Sequence, residues 1–478
     1  MPLPLFPRII EDFVRQEGKL ASSTPTLLTR TMAFVRSLRA VLFSSGESRW
    51  DLTLLGGILA SLFSFCQFLV SPYLGRLSDR FGRRPVLLAT MVGNLASALL
   101  WLFASRFELY AASRIVGGLA EGNVQLSIAC ITDVTTPETR ARSLALVGAA
   151  FSLAFTLGPS LGAYFASRVF GHGSRVAVPS ALNALVPALP AELQLNAYAV
   201  PAAMTVALLA FETVYLALYL PETRGWSAAS ASATENGPSA SQSPTASASS
   251  PAPRSYSQRL DRLRLLSFLH FSFLLSFSGG EFTLCFLTHA LFAYSNAQNG
   301  RLLGFVGIVS ALLQGGWVRR RARKHGGRAS KTASLAQAGV CACAASLAGL
   351  AALPQLEAAG SRAAATGVLW SAAAGLAFVS ATVVNSLNAL ASLETDSAGA
   401  RQQQHGEGTI DKGAALGSFR SHGQLGRALG PLVTTAVYWL VSPTAAYALG
   451  AVGCVGVAVG LKRIVREEEE REREVKRE

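Results

Sequence analysis

Long uncharged apolar blocks, rather than amphipathic stripes, set the pattern of this chain. Leu52–Leu74, Pro85–Ser105, Ser143–Ser167, Thr332–Gln355 and Ala363–Leu393 each lack Asp, Glu, Lys and Arg. A helix that crosses a bilayer needs about 20 such residues, whereas apolar runs of about 10–14 belong to soluble core helices. The pattern predicts eleven spans, over 52–74, 85–105, 109–132, 143–167, 196–220, 265–288, 302–318, 333–355, 363–392, 414–441 and 444–461. The last two divide at Ser442-Pro443, because the 34 uncharged residues from Ala428 to Leu461 are too many for one crossing. The expected class is an all-α polytopic membrane protein, with the lipid bilayer as its solvent.

Charge then orients the spans. The net charge of +14 would point a soluble protein toward nucleic acid. Here the basic residues sit between spans, so nucleic acid is not an expected partner. The loops 75–84, 133–142, 221–264, 319–331 and 393–413 carry twenty Lys and Arg, and the intervening loops after residue 105 carry five. The richer set is expected on the cytoplasmic side. Residues 225–257 are rich in Ser, Ala and Pro and cannot bury enough surface to fold. This makes 221–264 a disordered cytoplasmic linker between two bundles, 52–220 and 265–461. The tail 462–478, a mixed Arg/Glu run, reads as a solvated cytoplasmic helix. Residues 11–51 are expected as an outer loop, although 11–50 hold six basic residues. Met1–Ile10 is apolar but too short to span. Leu157-Gly158-Pro159 and Leu429-Gly430-Pro431 each lie in a span that follows a basic loop, which hints at two related halves around a central path.

The most specific string is Gly75-Arg76-Leu77-Ser78-Asp79-Arg80-Phe81-Gly82-Arg83-Arg84-Pro85. Its glycines allow tight turning and close helix approach, and Asp79 can accept hydrogen bonds from arginine or from a helix N-terminus. This loop resembles the signature between helices 2 and 3 of the major facilitator superfamily. Arg114-x-x-x-Gly118 is similar to that family's helix 4 motif, and Gly158-Pro159-Ser160-Leu161-Gly162 to its antiporter-associated helix 5 motif. Asp133 at the end of helix 4 and Pro221-Glu222-Thr223 after helix 6 also match. Ser278–His289 and Gly430–Trp439 resemble the eukaryotic tetracycline-transporter-like (TETRAN) proteins, regarded as exporters of organic anions and drugs and similar to bacterial drug:proton antiporters. The resemblance implies a major facilitator fold of two pseudo-symmetric six-helix bundles. It also implies that Leu3–Asp12 is the outer end of a helix 1 that is mostly missing, so that eleven full spans remain. Gly315–Arg328 keeps the glycines and arginines of the loop but has no counterpart of Asp79.

Charge inside a span costs about 2.5–3.5 kcal/mol on insertion scales, so each such residue needs a partner or a task. Arg114, Glu121 and Gln125 are spaced by 7 and 4 residues. At the helical period they fall within an arc of roughly 40°, one inward polar stripe. Glu281 follows Gly279-Gly280 and, with Glu121, is a candidate for proton coupling. Glu212 has Tyr215 three residues on, and Asn385 and Asn388 share a face. These four, Glu212, Glu281, Asn385 and Asn388, are the candidate substrate or proton path. His270 and His289 are expected as helix-contact or boundary residues rather than proton carriers. Arg420, His422 and Arg427 open helix 11, and a structural reading, with Asp79 near its N-terminus, stands beside an anion-attracting one. Asp79, Arg83 and Asp133, with Gly75, Gly82 and Arg84, are expected to form a cytoplasmic gate.

No phosphate-binding Gly-x-x-x-x-Gly-Lys-Ser/Thr string, metal-spaced His/Cys set or nucleophile elbow occurs, so neither an enzyme nor a cofactor is expected. The expected function is secondary active transport by alternating access, as a monomer. It is proton-coupled efflux of organic anions or drug-like molecules, with small molecules and protons as partners. The alternatives are a sugar-type facilitator, which also fits Pro221–Gly225, and a non-transporting receptor or scaffold with a truncated fold.

Overall fold

In the computed structural model the described residues are 13–14, 26–42, 49–166, 175–177, 192–194, 199–226, 254–396, 410–474 and 477. The expected remnant of helix 1 and the Ser/Ala/Pro-rich stretch 227–253 lie outside them. Helices dominate: α1 Leu27–Leu42, α2 Arg49–Phe81, α3 Arg83–Leu102, α4 Phe107–Ala120, α5 Asn123–Val134, α6 Pro137–Ala166, α7 Ala199–Tyr219 and α8 Tyr256–Phe292. There follow α9 Asn296–Leu312, a π-helical turn Leu313–Val318, α10 Arg319–Lys324, α11 Ala329–Ala358, α12 Arg362–Leu393, α13 Lys412–Leu440 and α14 Pro443–Glu474. Strands Arg175–Ala177 and Glu192–Gln194 pair antiparallel.

Among the described residues, ten helical stretches are long and apolar enough to cross a membrane, from Gly57–Phe81 to Pro443–Glu474. The remaining expected span, 414–441, is α13, whose 29 residues have the length but include Arg420, His422 and Arg427. Large apolar side chains face outward on these helices, among them Phe211, Leu218, Leu312 and Val452. Such faces are stable only against lipid, which replaces the missing half of their packing.

Three stretches differ from expectation. The segment expected as an outer loop carries α1, whose Leu28, Met32 and Val35 are buried with Trp101, Phe107 and Tyr110. Glu108 accepts from the Leu27 backbone N–H at 3.2 Å, satisfying one orphan donor of α1. The second bundle begins at Tyr256 rather than 265, because Ser255 and Gln258 form a reciprocal capping box at its start. The tail is helical to Glu474, as its charge pattern predicts, but is not simply solvated. Glu468 is buried and pairs with Arg254 and Arg262, while Arg262 also meets Glu394 and Glu467. Desolvation outweighs the neighbouring arginines at Glu394 and holds its carboxyl above the usual range.

The chain forms two compact units. One comprises Met1–Gln67, Leu88–Glu121 and Leu157–Leu220; the other comprises Phe68–Leu87, Gly122–Thr156 and Pro221–Glu478. The first has its core around Trp101 and Tyr110. The second is centred on α8, α11, α12 and α14 and takes in Ile128, Ala129 and Leu144.

Candidate functional site: a shared-carboxylate latch and the polar groups of the spans

The segment expected as a loop, Gly75–Arg84, is helical as far as Phe81, and this last part of α2 is built to let two helices touch. A Cβ on Gly75 would run into the carbonyl of Gly413, and one on Gly417 into that of Ser71, so α2 and α13 meet backbone to backbone. Asp79 then lies at the start of α13 and accepts from the backbone N–H groups of Gly413 (2.8 Å) and Ala414 (2.7 Å). Charge at a helix N-terminus is favourable because those N–H groups have no intrahelical acceptor. Gly82 has φ +103°, where a side chain would also meet the Glu222 carboxylate. The turn there returns Arg83 beneath the loop. Arg83 is 3% exposed and donates to Asp79 (2.7 Å), Ser78 (2.7 Å) and Asp133 (2.9 Å).

Glu222 completes the turn from the other side. Its two oxygens accept from the backbone N–H groups of Arg83 (2.8 Å) and Arg84 (3.1 Å), capping α3. Partial burial alone would raise the Glu222 carboxyl. The backbone donors of Arg224, Arg83, Arg84 and Thr223 instead hold it below the ordinary carboxylate range.

A second set of partners closes the ring. Arg140, 2% exposed, grips Asp396 through both terminal nitrogens at 2.5 and 3.0 Å, and the carbonyls of Thr132 and Thr135 accept from it as well. Lys412 lies 3.6 Å from Asp133 and 3.5 Å from Asp396, joining the two halves of the network. Arg140, Asp396 and Lys412 are absent from the sequence-based site. A signal for them exists: Asp133 and Arg140 are seven apart, as are Glu394 and Arg401, at the ends of corresponding helices. Arg401 lies outside the described residues.

The expected helix 4 stripe is not continuous. The helix stops at Ala120 and restarts at Asn123, with Glu121 and Gly122 outside both segments. The angular argument that joined Arg114, Glu121 and Gln125 therefore does not run through the break. On the far segment Gln125 is buried and donates to the Ser71 carbonyl at 3.0 Å. On the near segment Arg114 has no carboxylate partner among the described residues. Its guanidinium lies over three rings, Phe63 at 6.0 Å, Trp101 at 6.0 Å and Tyr110 at 5.5 Å. Among the described residues its one hydrogen bond is a long contact of 3.4 Å to Ser113. Among the described residues the buried Trp101 indole N–H has no acceptor. The motif glycine Gly118 explains the close approach, since a Cβ there would strike Cys66 and the Phe63 carbonyl.

The other candidates separate. Asn385 donates to Gln314 at 3.0 Å, and Gln314 donates to Ser152 (2.7 Å) and Ser310 (3.0 Å). Gly148 presses on both amides, so these residues join α6, α12 and the π-helical turn in one polar layer. Asn388 is half-buried on α12 beyond this layer. Glu281 faces Arg427 at 3.9 Å. Glu212 is exposed, and Tyr215 stacks on Phe211 and meets Tyr219 in a tilted ring contact rather than pairing with it. Gly158, Pro159 and Gly162 lie within α6; the side-chain surroundings of 159–162 are outside the described residues. His270 is buried, stacked on Phe419 at 4.4 Å, and is a helix contact.

Known proteins extend this picture. The model of the Major Facilitator Superfamily matches residues 26–403. Major facilitator superfamily domain-containing protein 10 of Mus musculus is 32% identical over 441 residues, covering 92% of this chain and 83% of its own length. The class C tetracycline resistance protein of Escherichia coli is 40% identical over 106 residues, 22% of this chain and 27% of that protein. Among solved structures, the human organic anion transporter MFSD10 (TETRAN) superposes with a TM-score of 0.69 at 28% identity, covering 96% of this chain and 94% of that one.

Proposed function

Because this chain belongs to the major facilitator superfamily, we propose that it is an alternating-access carrier of organic anions, coupled to protons and working as a single chain. The observation that carries this reading is Arg114. A guanidinium within a span, boxed by rings and without a carboxylate, is costly unless a ligand supplies the negative charge. The unpaired Trp101 donor beside it favours the same chemistry. A structural relative is described as an organic anion transporter, which supports this choice of substrate.

The latch supplies the gate. It lies among the set of loops that carries twenty Lys and Arg against five in the intervening set, and by the positive-inside rule that set faces the cytoplasm. In this reading, the network of Asp79, Arg83, Asp133, Arg140, Asp396 and Lys412 closes the cytoplasmic end and breaks when that end opens. Glu281 and Glu121 are the two carboxylates offered for proton exchange.

The test is flux in proteoliposomes of the full chain, with a panel of organic anions and their neutral and cationic analogues. Anions are expected to be carried in preference, with Arg114→Gln losing that flux and Arg114→Lys restoring part of it. Preferred transport of sugars or cations, or full anion flux in Arg114→Gln, would overturn the reading.

A further inference from the structure

The seam between α8 and α13 is closed by glycine. A Cβ on Gly423, Gly426 or Gly430 of α13 would meet the His270 ring, the Phe271 carbonyl or Ser278 on α8. Gly279 of α8 is pressed in turn by Thr434 and the Gly430 carbonyl. Glu281 and Arg427 flank this seam. Glu281 lies 17 residues beyond Arg264, about 25 Å along the helix, and so within the apolar thickness of about 30 Å.

Their contact is looser than the arginine–carboxylate pairs of the latch. The nearest atoms, Arg427 Nη2 and Glu281 Oε2, are 3.9 Å apart, which is an ion pair without a hydrogen bond. The Arg427 side chain is 38% exposed and that of Glu281 31%. Among the described residues no acceptor takes a hydrogen bond from Arg427, so its donors are uncommitted. The other titratable groups packed here carry no second negative charge. They are Cys285 one turn on, Tyr447 from α14, whose hydroxyl bonds Thr283 at 3.1 Å, and Tyr438, with Arg420 and His422 further along α13. From α11, Leu347 packs against Gly280.

We propose that Arg427 and Glu281 form a joint site for one organic anion and one proton. The anion's carboxylate or sulfonate takes Arg427 away from Glu281, and the released Glu281 carboxylate binds a proton. The pair alone sums to zero charge, and so does the loaded set of Arg427 cation, anion and neutral Glu281. The site therefore never presents net charge to the low-dielectric span. By linkage, anion binding and protonation favour one another to the same degree, so anion and proton move together and without net current. This inference rests on the anion-carrier reading above.

The test uses the full chain in pyranine-loaded proteoliposomes with naphthalene-1-sulfonate as the probe, because a permanently ionised sulfonate cannot leak as a free acid. An inward sulfonate gradient is expected to acidify the lumen, with no dependence on a potassium–valinomycin potential. Glu281→Gln is expected to lose the acidification and to bind sulfonate at alkaline pH as tightly as the parent does at acid pH. Glu281→Asp retains the proton, and Arg427→Gln loses both fluxes. Alkalinisation on sulfonate entry, sulfonate flux with no proton movement, or unchanged acidification in Glu281→Gln overturns this inference and leaves the carrier reading standing. Absence of any anion flux or binding in the parent overturns both.

Discussion

Asp79→Asn removes charge from the latch while keeping its shape. Asp79 accepts from Arg83, Gly413 and Ala414, and an amide turns one of those acceptor positions into a donor facing a donor. Hydrogen bonds to charged groups contribute about 1.5–3 kcal/mol each, and charge at a helix N-terminus about 0.3–1 kcal/mol. Two considerations reduce the sum. The Asp79 side chain is 17% exposed, and Asp133 still holds Arg83. A net loss of about 2–3 kcal/mol for the closed state remains, about 30- to 140-fold in the opening equilibrium at 1.4 kcal/mol per decade. The reporter is Ser386→Cys on α12, at a position 5% exposed, in a chain whose six native cysteines are replaced. Its alkylation by N-ethylmaleimide follows the open fraction when opening and closing are fast. The rate is expected to rise by that factor in Asp79→Asn, and to be unaffected by Arg76→Gln, an exposed arginine of the same loop. A rate within about twofold of the parent would refute the argument that Asp79 holds the helices closed.

Gly417→Val inserts a side chain against the Ser71 carbonyl, and the same cysteine reporter should become reactive with Asp79 intact; an unreactive reporter would show that the seam tolerates bulk. Arg114→Lys should weaken anion binding by about 1 kcal/mol or more, since an ammonium lacks the planar fork and stacks less well on rings; calorimetric titration with an arylsulfonate measures it. Glu222→Ala should cost about 0.5–2 kcal/mol as a lost cap, read as a fall in detergent melting temperature. The carboxyl of Glu222 is held low in the fold, so its contribution is present above the unfolded pKa of about 4.3 and is lost as pH falls through the lower folded value. The parent and Glu222→Ala melting curves should therefore converge only on acidification below the ordinary glutamate range.

The long helices and the loop Gly75–Arg84 were legible because both are local. Twenty uncharged residues have one stable solution in lipid, and a glycine-flanked Asp-Arg turn announces close approach within a few positions. What escaped was non-local or cumulative. Arg140 and Asp396 are 256 residues apart in sequence, and only the fold brings them together. The interruption at Glu121-Gly122 opposes a helical period that continues smoothly on either side, so periodicity alone runs straight through it. α1 was hidden by its three arginines, Arg30, Arg36 and Arg39, since charge suited to a loop can also lie on the outer face of a short amphipathic helix. The Glu212–Tyr215 contact expected from spacing is replaced by ring contacts of Tyr215 with Phe211 and Tyr219, since spacing says which residues are neighbours and not which of them touch.

The sharing of carboxylates in the latch bears on a hazard common to all carriers, which must never become pores. Asp133 serves both Arg83 and Lys412, Asp396 serves both Arg140 and Lys412, and Asp79 serves both Arg83 and the α13 backbone. Withdrawing any one member leaves another charge half-served in a poorly solvated place, so intermediate, partly unzipped arrangements are scarce. A gate built on this network, as proposed above, is either whole or abandoned. A passage that spends little time ajar leaks few ions, and the gradients on either side of the membrane outlast each cycle of opening.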